Sequence, residues 1–272
     1  MSNADRWEEM LGLDLQDNDY LYRIRKGSRI IYVQLLHAEL MPYRCRTQDD
    51  RVLACLRKLP QWDSDWRTLT VRKNSRGIIQ STPNEFLPPA LDLRTIDLPP
   101  STFYVNVLDL IPVGRTNHRT TRVRYNDETC ILKLASFQFE TRTIQNEILI
   151  HSILTERGFP SKPRFIGLAY EESKDRTVGF LIEDTQGRVP GPQDLDACVR
   201  TIRQMHDYGV LHKCFHKYKM RIEGDGAKIF GFATSTTISP ENTELVTAEE
   251  DPQILLRVLE DKSSIGGPFP FP

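Results

Sequence analysis

The chemistry-bearing residues of this chain concentrate between Gly209 and Ser235, in the run GVLHKCFHKYKMRIEGDGAKIFGFATS. His212, Cys214 and His216 alternate, and two imidazoles with a thiolate are zinc-binding groups. Alternation on a loop does not converge three ligands, however, and no fourth stands nearby. Cys214 lies between Lys213 and Lys217, cations that lower a thiol pKa and favour a nucleophilic thiolate. The plainer expectation is a small, half-buried thiol. Lys213, Lys217, Lys219 and Arg221 form a basic run able to face an anion, while Glu223 and Asp225 sit in a Glu-Gly-Asp-Gly sequence that a tight hairpin requires by itself. Further upstream, Lys133 interrupts an apolar strand, Glu147 lies on a helical pattern, and Glu183-Asp184 closes an apolar run.

The order of these pieces resembles the protein kinase-like superfamily, which includes kinases and small-molecule phosphotransferases. There the loop reads His-Arg-Asp or His-Gly-Asp, a metal-binding Asn follows five residues after the Asp, and the second apolar segment ends in Asp-Phe. Here His212 is kept as a loop brace, but Cys214 stands at the catalytic Asp, Lys219 at the Asn and Gly231, before Phe232, at the metal-binding Asp. Phosphoryl transfer needs a carboxylate to take the hydroxyl proton and oxygen ligands to hold magnesium on the phosphates. The resemblance therefore implies the fold without the activity: a pseudokinase with no metal site, acting by binding as a scaffold, allosteric partner or regulator of another protein. It also implies a Lys133–Glu147 pair, with Glu140 as the alternative acid, and Glu183 and Asp184 at a nucleotide-facing hinge. No cofactor is required, and ATP or another nucleotide would bind without magnesium. Two other readings stay open: a divergent phosphotransferase or nucleotidyltransferase with relocated residues, and a metal-independent binder of a small anionic ligand.

Composition limits the setting. Across 272 residues the formal charge is −1 and 39% of residues are apolar, enough for a core and too balanced for a general nucleic-acid or membrane field. The N-terminal stretch has no basic start followed by an apolar run, and the five cysteines are odd in number and lack CxxC spacing. These features lead to the expectation of a cytoplasmic or nuclear protein that is not secreted, with no nucleic acid or membrane partner.

The elements that would position the site read as an α+β fold: a two-lobed kinase-like domain over 101–272 with a minimal C-lobe, a Pro-rich connector over 91–100, and a small α+β unit over 1–90. The family resemblance runs from about Ser101 to about residue 240. Residues 1–19 are acidic and read as irregular. Tyr20–Arg25 and Arg29–Gln34 predict a hairpin, Thr47 is placed to cap a helix that Pro60 stops, and Thr68–Ser81 predicts a second hairpin. Five prolines between Pro83 and Pro100 mark an extended connector that packs down. Phe103–Leu110 and Thr120–Tyr125 read as two strands of a phosphate-covering hairpin, with Pro112–Arg119 between them and Gly114 its one glycine. Strands over 129–135 and 178–184, a helix over 139–157 and a helix opened by Asp194 or Asp196 and ended at Gly209 follow. A polar stretch, a short helix over 252–260 and a Gly- and Pro-rich tail complete the chain.

Overall fold

A computed structural model of the protein describes residues 7–117, 119–263 and 267. The fold is α+β, and the chain divides into two compact units. The first takes the chain up to Ala90 together with Ser136–Phe139 and Glu171–Arg176; the second takes the remainder.

In the first unit, β1 (Glu8–Leu15), β2 (Tyr20–Lys26) and β3 (Arg29–Leu35) form an antiparallel meander. Helix α1 (Asp49–Leu56) crosses over to β4 (Thr68–Lys73), which lies parallel to β3, and β5 (Ile79–Pro83) closes the other edge. A parallel neighbour requires such a crossover, whereas the two hairpins need only short turns. Val52, Leu53 and Leu56 bury one face of α1 in a core with Tyr22, Val33, Leu69, Trp62 and Trp66.

Two expectations need correction here. Residues 8–15 are a strand and not irregular, because a register shift between Met10 and Gly12 inserts a bulge that breaks the period-2 apolar signal. Residues 1–6 of that acidic stretch lie outside the described residues. Helix α1 has Gln48 rather than Thr47 at its N-cap, and no side chain caps it.

The short segment Glu171–Arg176 is built into this first unit by charge. Glu171 is fully buried and accepts hydrogen bonds from Arg23, through Nε at 3.0 Å and through Nη2, from Arg176, and from the Tyr32 hydroxyl at 3.4 Å. One carboxylate thus bridges two buried guanidiniums, with Glu172 3.5 Å from Arg176 supplying a second negative charge, and losing Glu171 would leave Arg23 buried without a carboxylate partner.

In the second unit a six-stranded sheet has the order β6-β10-β11-β9-β8-β7. Its strands are β6 (Phe103–Asn106), β7 (Ile111–Asn117), β8 (Thr120–Tyr125), β9 (Glu128–Leu134), β10 (Phe165–Tyr170) and β11 (Thr177–Glu183). Helix α2 (Gln138–Glu156) connects β9 to β10, placing Ile144 and Ile148 on Leu168, Phe180 and Ile182. Leu132 of β9 and Leu181 of β11 pack on the opposite face with Val105 and Val123. Beyond the sheet come α3 (Leu195–Asp207), the β12 (Val210–Leu211) and β15 (Thr236–Thr237) pair, and the hairpin β13 (Met220–Glu223) to β14 (Gly226–Ile229). Helices α4 (Thr243–Glu250) and α5 (Pro252–Glu260) follow; Leu255 and Leu259 of α5 share a core with Ile202, Met205 and Ile229.

The Pro-rich segment is a strap on this unit. The Leu91 N–H donates to the Thr177 carbonyl at 2.8 Å, the Gln145 amide donates to the Asp92 carbonyl at 2.7 Å, and the Ser152 hydroxyl donates to the Asp97 carbonyl. Leu93, Ile96 and Leu98 pack against the α2 core.

The hairpin ahead of β9 is not the one the sequence suggests. Phe103–Asn106 pairs in parallel with β10 at the far edge of the sheet, and the chain leaves it through a 3-10 turn over Val107–Asp109 that the Asn106 side chain caps. The partner of β8 is β7, formed by residues expected to be a connecting loop. Pro112 hid it, since proline reads as a strand breaker, but β7 is an edge strand where a missing N–H costs no ladder bond. Gly114 consequently lies at a bulge within the strand, not in the turn; His118 of that stretch lies outside the described residues. Helix α4, within the stretch read only as polar, was also missed, because it carries no buried residue to mark a periodicity. Most of the Gly- and Pro-rich tail falls outside the described residues.

Replacing Glu171 by Ala should lower the stability of the chain by about 3–5 kcal/mol, the effect of breaking a buried ion pair. Urea denaturation of the full-length protein measures it, and a loss under about 1 kcal/mol, the surface-pair range, would show the network to be solvated.

Candidate functional site

Lys133 and Glu147 are brought together by two different periodicities. On β9, Cys130 and Leu132 point into one core, so Ile131 and Lys133 face the other way, towards α2. On α2, Ile144, Glu147, Ile148 and His151 recur at spacings of three and four and form the buried stripe. The Lys133 ammonium and Glu147 carboxylate meet there as an ion pair, with Lys133 9% and Glu147 2% exposed. The same oxygen, Oε1, accepts the backbone N–H of Phe232 at 3.0 Å. Asn146, one residue earlier, donates to the carbonyls of Phe232, Ala233 and Ser235 at 3.3, 3.1 and 2.9 Å. Glu140, the alternative acid, is also buried, but lies in the first turn of the helix.

His212 is fully buried. Its Nε2 lies 3.2 Å from the Phe230 carbonyl, its own carbonyl accepts from Ser235 Oγ at 3.2 Å, and its N–H donates to Glu249 at 3.1 Å. The Phe232 ring stands between two imidazoles, with centroids 5.0 Å from His151 and 5.8 Å from His212. Burial, and then the charge of Lys219, pull the His212 pKa down to about 4. Burial first, then Lys162 and Lys133, hold His151 well below its ordinary value. Both rings are therefore neutral at pH 7. His206 behaves oppositely: burial opposes its charge, but Glu249 and Glu250 at 3.0 and 2.7 Å from its two nitrogens win and raise its pKa.

Gly231, Lys219 and Cys214 are the positions that the resemblance singles out. Gly231 has φ +83°, and a Cβ there would stand 3.2 Å from Lys219 Cδ and 3.3 Å from Cε. Lys219 Nζ donates to the Gly231 carbonyl at 3.2 Å, so the lysine stem covers the glycine and its head is anchored on the same residue. Cys214 is exposed, not half-buried. The alternating His212, Cys214 and His216 do not converge on one point. Among the described residues no group of three or more His, Cys, Asp or Glu side chains is placed to hold a metal ion.

A cleft of about 810 Å³ opens over these residues, walled by Ile131, Ile144, Ile182, Val189 and Phe230 and reaching Lys133, Lys219 and Gly231. Glu183 and Asp184 line it, but both are engaged. Glu183 accepts the Arg164 N–H and the Lys228 ammonium, each at 3.0 Å, and these hold its carboxyl below the usual value against burial. Asp184 forms an ion pair with Arg122 at 2.9 Å. Arg122 and Arg119, at the cleft and near the β7–β8 turn, escaped sequence reasoning; the signal was the alternation Thr120, Arg122, Arg124 on β8, with Arg122 paired opposite Ile131. No helix among the described residues is long and apolar enough to cross a membrane.

No known protein family matches the chain, and no curated protein is similar to it in the comparison made. The functional reading rests accordingly on the site.

The histidines set a pH dependence. Unfolded imidazoles titrate near 6.5, so with folded values depressed the unfolded chain binds more protons, and stability should fall as pH drops from about 6.5 to the folded His212 value of about 4. His206 does not cancel this, since a raised pKa contributes stability that is complete below about 6.5 and lost as pH rises through the folded value. Replacing His151 by Leu should flatten the slope by up to about 1.4 kcal/mol per pH unit in chemical denaturation. A variant with the wild-type slope would remove His151 from the account.

Proposed function

We propose that residues 101–272 form a two-lobed kinase-like domain that binds and does not transfer phosphate. The hairpin β7–β8, the Lys133 strand, the Glu147 helix, the strand ending at Glu183, helix α3, the His212 loop and the hairpin ending at Gly231-Phe232 occur in the order the resemblance requires. The Lys133–Glu147 ion pair supports that reading of the small lobe.

The observation that carries the non-catalytic part is the seating of Lys219 on Gly231. The space where an acid would hold a cation is taken by an aliphatic stem, and an ammonium stands beside it. A cation there repels magnesium, and neither an ammonium nor a glycine supplies the oxygen ligands that magnesium takes. Cys214 cannot serve as the proton-accepting carboxylate. The protein then acts through what it holds, as a scaffold, allosteric partner or regulator of a protein partner, in a cytoplasmic or nuclear setting.

Incubation of the full chain with magnesium-ATP and acceptor substrates should give no phosphoryl transfer or hydrolysis. Turnover near about 1 per second, within the ordinary kinase range, that is lost in Lys133→Ala would overturn the proposal. Restoring the acid alone should also fail: Gly231→Asp places a side chain at positive φ against the Lys219 stem, and should lower stability by about 1–2 kcal/mol without creating magnesium-dependent nucleotide binding. Magnesium-dependent binding by that single variant, read by calorimetry, would show that the lysine yields readily.

A further inference from the structure

The cleft carries more cation than its own carboxylates match. Five of its lining side chains are Arg119, Arg122, Lys133, Lys219 and Arg221, against the acids Glu147, Glu183 and Asp184. Asp184 is taken by Arg122 and Glu147 by Lys133, while Glu183 turns to Lys228. Lys219, Arg221 and Arg119 are left without a carboxylate at ion-pair distance among the described residues.

Two of these are held in place. Lys219 is anchored on the Gly231 carbonyl, and Arg221 donates to the Met220 carbonyl at 2.8 Å while its guanidinium stacks over Phe230 at 5.4 Å. Burial lowers the pKa of each, so both charges stand in a partly desolvated setting that an anion would relieve. His216 adds a third observation: it lines the same cleft, and its buried Nδ1 has no hydrogen-bond partner.

We infer that the floor of this cleft is a metal-free binding site for a phosphorylated small molecule, with the phosphate held between Lys219 and Arg221. The inference rests on the non-catalytic reading and names its ligand class. An ammonium acts as a compact point charge and a guanidinium as a planar fork, a pair suited to a compact oxyanion with several oxygens. The apolar wall of Ile131, Ile182 and Val189 accommodates an organic body, and the volume lies within the range of small-molecule sites. In a metal-dependent site the protein's acids bind the cation and the cation binds the phosphate; here protein and phosphate attract directly, so magnesium competes for the ligand.

The test is calorimetric and thermal-shift titration of the full chain with inorganic pyrophosphate, ADP and ribose 5-phosphate, each with and without magnesium, against chloride at matched ionic strength. Pyrophosphate should bind and raise the melting temperature, magnesium should reduce the effect, and added salt should weaken it by screening. A larger response to ADP identifies a nucleotide as the natural source, and a larger response to ribose 5-phosphate a sugar phosphate. Lys219→Gln should weaken binding about tenfold or more, while Lys219→Arg, which keeps the charge and controls for folding, should retain most of it. Absence of binding by all three probes, dependence on magnesium, or unchanged affinity in both Lys219→Gln and Arg221→Gln would each overturn the site. Absence of binding or unchanged affinity leaves the non-catalytic reading standing, dependence on magnesium would overturn its metal-free basis as well, and turnover of magnesium-ATP sinks that reading whatever the titrations give.

Discussion

The arrangement of the second unit depends on one oxygen. Glu147 Oε1 takes the Lys133 ammonium from β9 and the backbone N–H of Phe232 from the segment after β14, and the carboxylate is almost wholly removed from water. A buried carboxylate is costly unless its charge is matched and its lone pairs are used. Here a strand and a distant loop each contribute one partner, so neither can be displaced without exposing the other's loss. Asn146 reinforces the same junction with three carbonyl contacts. Nothing in the energetics of this junction needs a ligand, so it holds its geometry on internal contacts alone.

Next to that junction Lys219 and Gly231 form a second self-consistent arrangement. A glycine at positive φ carries no penalty for its backbone and leaves a hollow; the Lys219 stem fills the hollow, and its head finds the carbonyl of that same glycine. Lysine burial is tolerable because the stem is apolar and only the ammonium needs a polar neighbour. The two residues are thus coupled in space although twelve positions apart in sequence. An acid placed at Gly231 would meet the Lys219 stem.

Much of this was legible in the residues, for reasons tied to period and order. The Lys133 strand and the Glu147 helix each have a clear apolar repeat, and repeats decide which face a side chain takes. What escaped notice lacked that signal. The strand over 111–117 contains a proline, and its edge position, which makes the proline harmless, is a property of the sheet and not of the local sequence. The strand over 8–15 loses its alternation at a bulge. Helix α4 buries nothing and is held by Glu249 and Glu250 on His206, a contact between positions more than forty residues apart. Arg122 was visible as one charge among many on β8, but its pairing with Asp184 required knowing that β8 and β11 flank β9.

The histidines show how position alone assigns opposite states to one residue type. His151 and His212 flank Phe232 in edge-on contacts, where a charged imidazolium would have to be desolvated near Lys162 and Lys133, or near Lys219, so neutrality is enforced. His206 sits at the end of α3 between two carboxylates, and the charged form is the one that can donate from both nitrogens at once. Glu249 links the two regimes, since it accepts from His206 and also from the backbone of His212 and Lys213. Its negative charge is stabilised by those donors against its burial. The His212 loop is therefore braced from one side by an uncharged ring packed on Phe232, and from the other by the Glu249 carboxylate, which also contacts His206. The charges of the cleft are seated by separate contacts, Lys219 by the Gly231 carbonyl and Arg221 by the Met220 carbonyl and the Phe230 ring, so bracing the loop and placing its cations do not compete for the same groups.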